Sequence, residues 1–177
     1  MRVVAGLYGG RRLVAPAGTE TRPTSDRVRE AVFSVLGTSV REARVLDLFA
    51  GSGALGIEAL SRGARSAVFV DRSHKATQAL RANLTALGIE AEVRPIEARA
   101  ALRAASARRE AYDLVFLDPP YRRAAELGRE LSEGLSAVLA SGARVVTESD
   151  RRTPLELDLP LADERRYGDT VIRIHEP

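Results

Sequence analysis

The segment that decides the fold is Val45-Leu46-Asp47-Leu48-Phe49-Ala50-Gly51-Ser52-Gly53-Ala54-Leu55-Gly56, an apolar run that enters a glycine-rich turn and then a helix. Gly51 and Gly53 permit a tight turn and a close approach of ligand to backbone, while the helix N-terminus offers free N–H groups. The spacing matches G-x-G-x-x-G. The segment therefore predicts a Rossmann-like α/β unit that binds an adenosine-containing ligand.

Acidic residues near this turn help to decide which ligand it binds. The next apolar run, Ala67 to Val70, ends in Asp71, about where a ribose-binding carboxylate is expected. Asp47, just before the turn, is poorly placed against a pyrophosphate but would favour the sulfonium and ammonium groups of S-adenosylmethionine. Arg72 keeps an NADP-binding alternative open, because an arginine there can accommodate a 2′-phosphate. The residues that follow offer no evident apparatus for hydride transfer.

A second chemical motif, Asp118-Pro119-Pro120-Tyr121, directly follows the apolar run Leu114-Val115-Phe116-Leu117. Consecutive prolines cannot donate to a sheet ladder, so the run predicts a buried strand that stops abruptly. Asp118 precedes a proline, which restricts its backbone to extended conformations. A rigid cluster of oxygen acceptors beside an aromatic ring is suited to holding the amino group of a planar base.

The order of elements predicts an α/β fold with a mostly parallel, seven-stranded sheet and helices on both faces. A helix capped by Thr24-Ser25-Asp26 should run through Leu36, and a basic N-terminal hairpin should pair residues 2–4 with 11–14. The predicted strands lie near 44–48, 67–70, 91–94, 112–117 and 143–148, before an antiparallel hairpin of 165–167 and 171–174. We expect a single domain, with an arm and connector over 1–23 and the core over 24–177.

Composition is ordinary for a globular protein, apart from its high arginine content. The chain is 45% hydrophobic and 29% charged, with no cysteine, two histidines and no membrane-length apolar run, so we expect no metal and a cytoplasmic location. The pI is about 9.8 because arginine outnumbers lysine, of which Lys75 is the only one. Arginine suits phosphate and base stacking, although a GC-rich genome or heat adaptation also enriches it.

Taken together, the two chemical motifs and Asp71 resemble the first, second and fourth motifs of class I S-adenosylmethionine-dependent methyltransferases. The (D/N)-P-P-(Y/F) form is that of enzymes that methylate amino or amide nitrogen. The chain further resembles the RsmD family of 16S ribosomal RNA guanine-N2 methyltransferases over nearly its whole length. That likeness rests on residues 2–6, 9–13, 21–30 and 55–63.

The resemblance implies roles for specific residues. The target is expected to be guanine 966 in standard 16S rRNA numbering. The residues expected to hold it are Asp118, Pro119, Pro120 and Tyr121. Those expected to bind S-adenosylmethionine are Asp47, Phe49, Ala50, Gly51, Ser52, Gly53, Leu55, Asp71, Arg72, Glu97, Ala98, Thr24 and Arg27. Independently of the resemblance, arginines crowd the first thirty residues, and those expected to contact RNA are Arg2, Arg11, Arg12, Arg22 and Arg29. Glu97 departs from the family, which often carries Asp or Asn against the adenine.

The expected partner is 16S rRNA within a 30S subunit or assembly intermediate, with neither DNA nor a membrane. Three alternatives stay open beside the NADP protein: a DNA adenine or cytosine methyltransferase, a protein glutamine methyltransferase, and a non-catalytic RNA-binding module. We also expect that deleting residues 1–14 weakens RNA binding and leaves cofactor binding nearly unchanged.

Overall fold

One seven-stranded sheet organises the chain in a computed structural model that describes residues 1–16, 25–119 and 124–177, excepting the side chains of 124–126. The strands are β1 (Arg44–Leu48), β2 (Ser66–Val70), β3 (Glu92–Arg94), β4 (Tyr112–Leu117), β5 (Leu139–Asp150), β6 (Leu161–Tyr167) and β7 (Thr170–His175). Their order is β3-β2-β1-β4-β5-β7-β6, and β7 is antiparallel to both neighbours. The mostly parallel sheet with a final antiparallel hairpin is thereby confirmed.

Helices cover both faces of this sheet. They are α1 (Asp26–Leu36), α2 (Ala54–Ser61), α3 (His74–Leu87), α4 (Ala98–Ala107) and α5 (Ala124–Ser136), with a 3-10 turn at Gly37–Val40. Apolar side chains of α1, α2 and α3 form one core cluster with one face of the sheet, and those of α4 and α5 form a second cluster with the other. Strand residues alternate between the two, as Val45 and Leu46 do, because successive side chains point to opposite faces.

The helix starts follow local capping chemistry. The Ser25 hydroxyl accepts a hydrogen bond from the Val28 amide at 3.2 Å, and the Ser73 hydroxyl accepts one from the Ala76 amide at 3.3 Å. These bonds satisfy amides that have no partner inside the helix. The predicted cap of α1 is confirmed at Ser25, while Thr24 lies outside the described residues.

Strand β5 is longer than the predicted 143–148. Tyr112 pairs with Leu139, but Leu114 pairs with Arg144, so β5 carries extra residues between these two rungs. Gly142 lies there with a φ of +73°, a left-handed conformation that glycine adopts without strain. A bulge of this kind has the sequence of a turn, which is why the prediction started the strand too late.

The N-terminal hairpin forms as predicted and packs onto the helical layer of α1 to α3. Arg2 and Arg12 form an antiparallel bridge, and the Val3 amide donates to the Arg11 carbonyl at 2.9 Å. Val3 and Leu13 point inward and are buried in the α1–α3 core. In the part of the chain that the structure describes, no helix is both long and apolar enough to cross a membrane.

Candidate active site

The carboxyl ends of the parallel strands bring the two predicted motifs to one edge of the sheet. Leu48, the last residue of β1, pairs with Val70 of β2 on one side and with Leu117 of β4 on the other. The residues that follow these three therefore leave the sheet side by side, namely Phe49, Asp71 and Asp118. Ligands bind outside the carboxyl ends of strands where the strand order reverses, which here is between β1 and β4.

The turn after β1 contains three residues in left-handed conformations. Gly51 and Gly53 have φ values of +55° and +82°, and Phe49, which is not a glycine, has +69°. A bulky residue with positive φ is strained, and such strain concentrates at functional sites. A Cβ at Gly53 would lie 2.3 Å from Leu80, whereas one at Gly51 would meet no atom of the described residues closer than the Phe49 carbonyl at 4.0 Å. Gly51 therefore leaves open space on the ligand side of the turn.

Asp71 is tied to this turn by two backbone amides. One carboxylate oxygen accepts from the Gly51 amide at 2.9 Å, and the other accepts from the Ser73 amide at 2.8 Å. The side chain is half-buried, and each carboxylate oxygen has further capacity to accept a hydrogen bond. Asp71 thus fixes the turn in addition to offering acceptors to a ribose.

Asp47 lies beneath the turn, on the side away from solvent. Its side chain is buried, and its Oδ2 accepts from the Gly56 amide in the first turn of α2 at 2.9 Å. Burial, together with the nearby charge of Asp71, outweighs that hydrogen bond and raises the pKa of Asp47 to about 7. Gly56 has no room for a side chain, because a Cβ there would lie 2.3 Å from the Phe69 ring and 3.1 Å from Asp47.

On the β2–β3 side of the turn, Arg72 and Glu97 form an ion pair. Arg72 Nη1 lies 2.8 Å from Glu97 Oε1, and both side chains are 62% exposed. The pairing raises the pKa of Arg72 through its hydrogen bond to Glu97. The pair joins the loop after β2 to the loop after β3, next to Ala98, which begins α4 and is buried. Sequence analysis predicted that all three residues bind the cofactor, and the structure places them together.

The Asp-Pro-Pro-Tyr motif is described as far as Pro119. Asp118 is partly exposed, one residue beyond the end of β4, and Pro119 is buried. Pro120 and Tyr121 lie outside the described residues, as do Arg22 and Thr24. Of the other predicted cofactor residues, Arg27 is exposed on α1, while Ala50, Ser52 and Leu55 are buried about the turn.

The family model described as "Conserved hypothetical protein 95" matches residues 1–176. The "Putative rRNA methyltransferase YlbH" of Bacillus subtilis strain 168 is 41% identical over 186 residues, covering 99% of this chain and 98% of that protein. The "Ribosomal RNA small subunit methyltransferase D" of Escherichia coli K12 is 39% identical over 123 residues, which are 70% of this chain and 61% of that protein. The chain belongs to the RsmD family.

A solved structure agrees with this assignment. The structure described as "Putative methyltransferase yhhF from Escherichia coli" superposes with a TM-score of 0.85 at 35% identity, covering 99% of this chain and 97% of that one. The fold of class I methyltransferases, predicted from the motifs, is thereby confirmed.

One predicted RNA contact of this RsmD-family chain is wrong. Arg29 is fully buried, and its guanidinium donates to the Arg2 carbonyl and to Asp26 Oδ1, the latter at 2.7 Å. It also lies 3.7 Å from Glu58, which is equally buried. An arginine enclosed in this way holds the hairpin against α1 and α2 and cannot reach RNA phosphates. Its place on the helix was a signal, since Arg29, Val32, Phe33 and Leu36 share the buried face.

The remaining described arginines of the RNA-binding prediction are exposed. Arg2 is 66% exposed beside Asp26, Arg11 donates from its guanidinium to the Ala86 carbonyl, and Arg12 lies on the hairpin surface. The hairpin itself is not a free arm. Glu58 accepts from the amides of Val4 and Ala5 at 2.6 and 3.0 Å. The expectation that residues 1–14 can be removed without affecting the cofactor turn is therefore withdrawn.

Two polar residues that sequence analysis missed lie close to this site. Glu148 of β5 is buried. Because Leu117 of β4 pairs with Thr147 of β5, the next residues along the two parallel strands, Asp118 and Glu148, are also neighbours. Asn83 of α3 is buried and hydrogen-bonded to the turn.

Within residues 1–16, 25–119 and 124–177, no three His, Asp or Glu side chains cluster as a metal site would require.

Proposed function

We propose that the protein transfers the methyl group of S-adenosylmethionine to the exocyclic N2 of a guanine in 16S rRNA, guanine 966 in standard numbering. One observation carries the proposal. The sheet order sets β4 beside β1, so Asp118 leaves the sheet next to the glycine turn. A methyl donor over the turn and a base amine at Asp118 then share one crevice.

S-adenosylmethionine is the cofactor, and the cradle at the turn suits it. The open space at Gly51 supports entry of a ligand against the backbone, and in this proposal the half-buried Asp71 carboxylate accepts from the ribose hydroxyls. Asp47 beneath the turn favours the cationic methionine portion when it is ionised. We propose that Glu97 and Ala98 border the adenine.

The reaction requires that a weakly nucleophilic amine be oriented toward the methyl donor, because the N2 lone pair is delocalised into the guanine ring. The Asp118 carboxylate and the Pro119 carbonyl accept the two amine hydrogens, which aims the nitrogen and stabilises the positive charge that develops on attack. Tyr121 stacks on the base, which must be unpaired or flipped out of its helix to enter the crevice. Thr24 and Arg27 close over the cofactor or reach the RNA.

The RNA partner is 16S rRNA in a 30S subunit or an assembly intermediate. The exposed hairpin arginines Arg2, Arg11 and Arg12, with Arg22 of the connector, contact its phosphates.

The test is methyl transfer from labelled S-adenosylmethionine to purified 30S subunits, naked 16S rRNA, DNA and a peptide release factor. The proposal predicts N2-methylguanine in 16S rRNA as the labelled product, after digestion to nucleosides. Label in DNA adenine or cytosine would instead indicate a DNA methyltransferase, and label in a glutamine side chain would indicate a protein methyltransferase. Comparing methylation of 30S subunits with methylation of naked 16S rRNA decides whether ribosomal proteins must already be bound to the RNA substrate.

A further inference from the structure

Asn83 connects two parts of the molecule that are far apart in sequence. Its side-chain N–H₂ group donates to the Ser52 carbonyl at 2.9 Å and to the Val14 carbonyl at 3.0 Å. Its carbonyl oxygen accepts from the Val14 amide at 2.8 Å. The side chain is 2% exposed. Two donors and one acceptor are what a primary amide supplies, and all three have partners here.

The bond to Ser52 fixes the backbone of the cofactor turn. The peptide between Ser52 and Gly53 carries the Ser52 carbonyl at one end and the Gly53 amide at the other. Asn83 holds the carbonyl, and the Ala50 carbonyl accepts from the Gly53 amide at 2.7 Å. Both polar atoms of this peptide are therefore held, and its plane cannot rotate without breaking a buried hydrogen bond.

Packing by the same helix reinforces this restraint. Leu80 lies one turn before Asn83 on α3 and sits where a Cβ of Gly53 would be, 2.3 Å away. Helix α3 thus contacts the turn through two side chains: Leu80 packs against Gly53, and Asn83 donates a hydrogen bond to the Ser52 carbonyl. The other end of the Asn83 contact is Val14, at the base of the N-terminal hairpin, beside Met1, whose sulfur lies 3.7 Å from the Ser52 hydroxyl.

We propose that Asn83 is a positioning residue for S-adenosylmethionine, acting through the Ser52 carbonyl, and that it makes the N-terminal hairpin and the cofactor turn one mechanical unit. This inference rests on the proposed function only in taking the turn as the cofactor site. Binding at the turn then tightens the base of the hairpin, which carries the exposed arginines, and loosening the hairpin base loosens the turn.

The test compares Asn83→Ala with Ser61→Ala. The Ser61 hydroxyl accepts from the Tyr8 amide at 2.9 Å and donates to the Ala5 carbonyl, so it holds the hairpin near its tip and has no contact with the turn. Both variants lose buried hydrogen bonds to the hairpin, and both should lower the unfolding temperature. Asn83→Ala alone should raise KM for S-adenosylmethionine by roughly tenfold with kcat at saturation nearly unchanged, because an unpaired carbonyl frees the turn.

Hydrogen exchange gives a readout of the hairpin itself, without RNA. In the unsubstituted protein, S-adenosylmethionine should slow exchange of the Val14 and Leu13 amides, and in Asn83→Ala that protection should disappear. Should Asn83→Ala not fold, Asn83→Leu keeps the branched shape of the side chain without its donors, its acceptor or a buried charge, and it should show the same changes. Equal KM values in the Asn83 and Ser61 variants, with equal hairpin protection, would overturn the inference. Absence of S-adenosylmethionine binding by the unsubstituted protein would instead overturn the proposed function.

Discussion

Three aspartates at the carboxyl edge of the sheet differ in the surroundings that their side chains meet. Asp47 is buried against the start of α2, Asp71 is half-buried and accepts from two backbone amides, and Asp118 is partly exposed one residue beyond β4. These surroundings suit different roles in the proposed reaction. Asp47 is suited to favouring a cationic cofactor, Asp71 to binding ribose and fixing the turn, and Asp118 to holding the base amine.

Replacing Asp71 tests the ribose contact. Asp71→Ala loses charge-assisted hydrogen bonds worth roughly 1.5–3 kcal/mol, so affinity for S-adenosylmethionine should fall about tenfold or more. Asp71→Asn is the matched control, because its one remaining oxygen can still accept from the Gly51 amide and should recover part of the loss. Calorimetry measures both. Tight binding of NADP with no binding of S-adenosylmethionine would end the methyltransferase account.

Asp47 predicts a pH dependence. Its pKa is raised from 3.8 to about 7 in the folded protein, so folding disfavours the ionised form. Stability from this group is fully present below about pH 4, falls as the pH rises toward 7, and is constant above that. In Asp47→Asn, the free energy of unfolding should depend less on pH over this range, as measured by urea denaturation at several pH values. An unchanged slope between pH 4 and 7 would contradict the assignment.

The same pKa gives an expectation for the cofactor. The cationic methionine portion favours ionised Asp47, so binding should release a proton and affinity should rise as the pH increases through about 7. Calorimetry in buffers of different ionisation enthalpy measures that proton. Asp47→Asn should release none from this site.

At the scale of elements, patterns of apolar residues located most of the structure. The run 112–117 was predicted with the observed bounds, because an apolar run that ends just before two prolines has few alternatives to a buried strand. The hairpin was also predicted, but its packing was not, since only the structure shows that Glu58 accepts from Val4 and Ala5. Asn83 was missed although it lies with Leu80, Leu84 and Leu87 at the spacing of a buried helical stripe.

The hairpin predicts a salt dependence of RNA binding. Arg11→Gln with Arg12→Gln should lower the slope of log affinity against log salt by up to about 0.7–0.9 for each lost phosphate contact. Cofactor affinity should be unchanged, because neither side chain contacts the turn. Arg41→Gln with Arg65→Gln removes the same charge at the opposite edge of the sheet, before β1 and β2, and should leave the slope nearly intact. Equal slopes for the two double variants would show that the hairpin is only a charged surface.

For the whole molecule, the sheet order is the step that sequence alone could not supply. Gly51 and Asp118 are remote along the chain, and only the pairing of β1 with β4 brings their loops together. The sequence supported that pairing through resemblance to a family rather than through spacing. A contact between two single polar groups far apart in sequence, such as Arg29 and Glu58, produces no repeating pattern that would identify the partner. The prediction that Arg29 contacts RNA was wrong for this reason.

The central claim is that Asp118 holds the target amine beside the cofactor. Asp118→Ala removes one acceptor and leaves Asp71 and the glycine turn in place, so S-adenosylmethionine should bind nearly normally. Loss of one preorganised group that faces developing charge typically lowers the rate by about 10²–10³. Asp118→Asn keeps a carbonyl acceptor without the charge, and its rate should lie between those of the unsubstituted protein and Asp118→Ala.

The single-turnover rate of methyl transfer to 30S subunits, with S-adenosylmethionine saturating, tests this claim most directly. A graded series, with Asn between Asp and Ala, is the predicted result and indicates hydrogen bonding and electrostatic stabilisation. Equal inactivity of Asn and Ala would point instead to an obligatory general base. Methylation by Asp118→Ala at the rate of the unsubstituted protein would contradict the account, because the amine would then be held elsewhere.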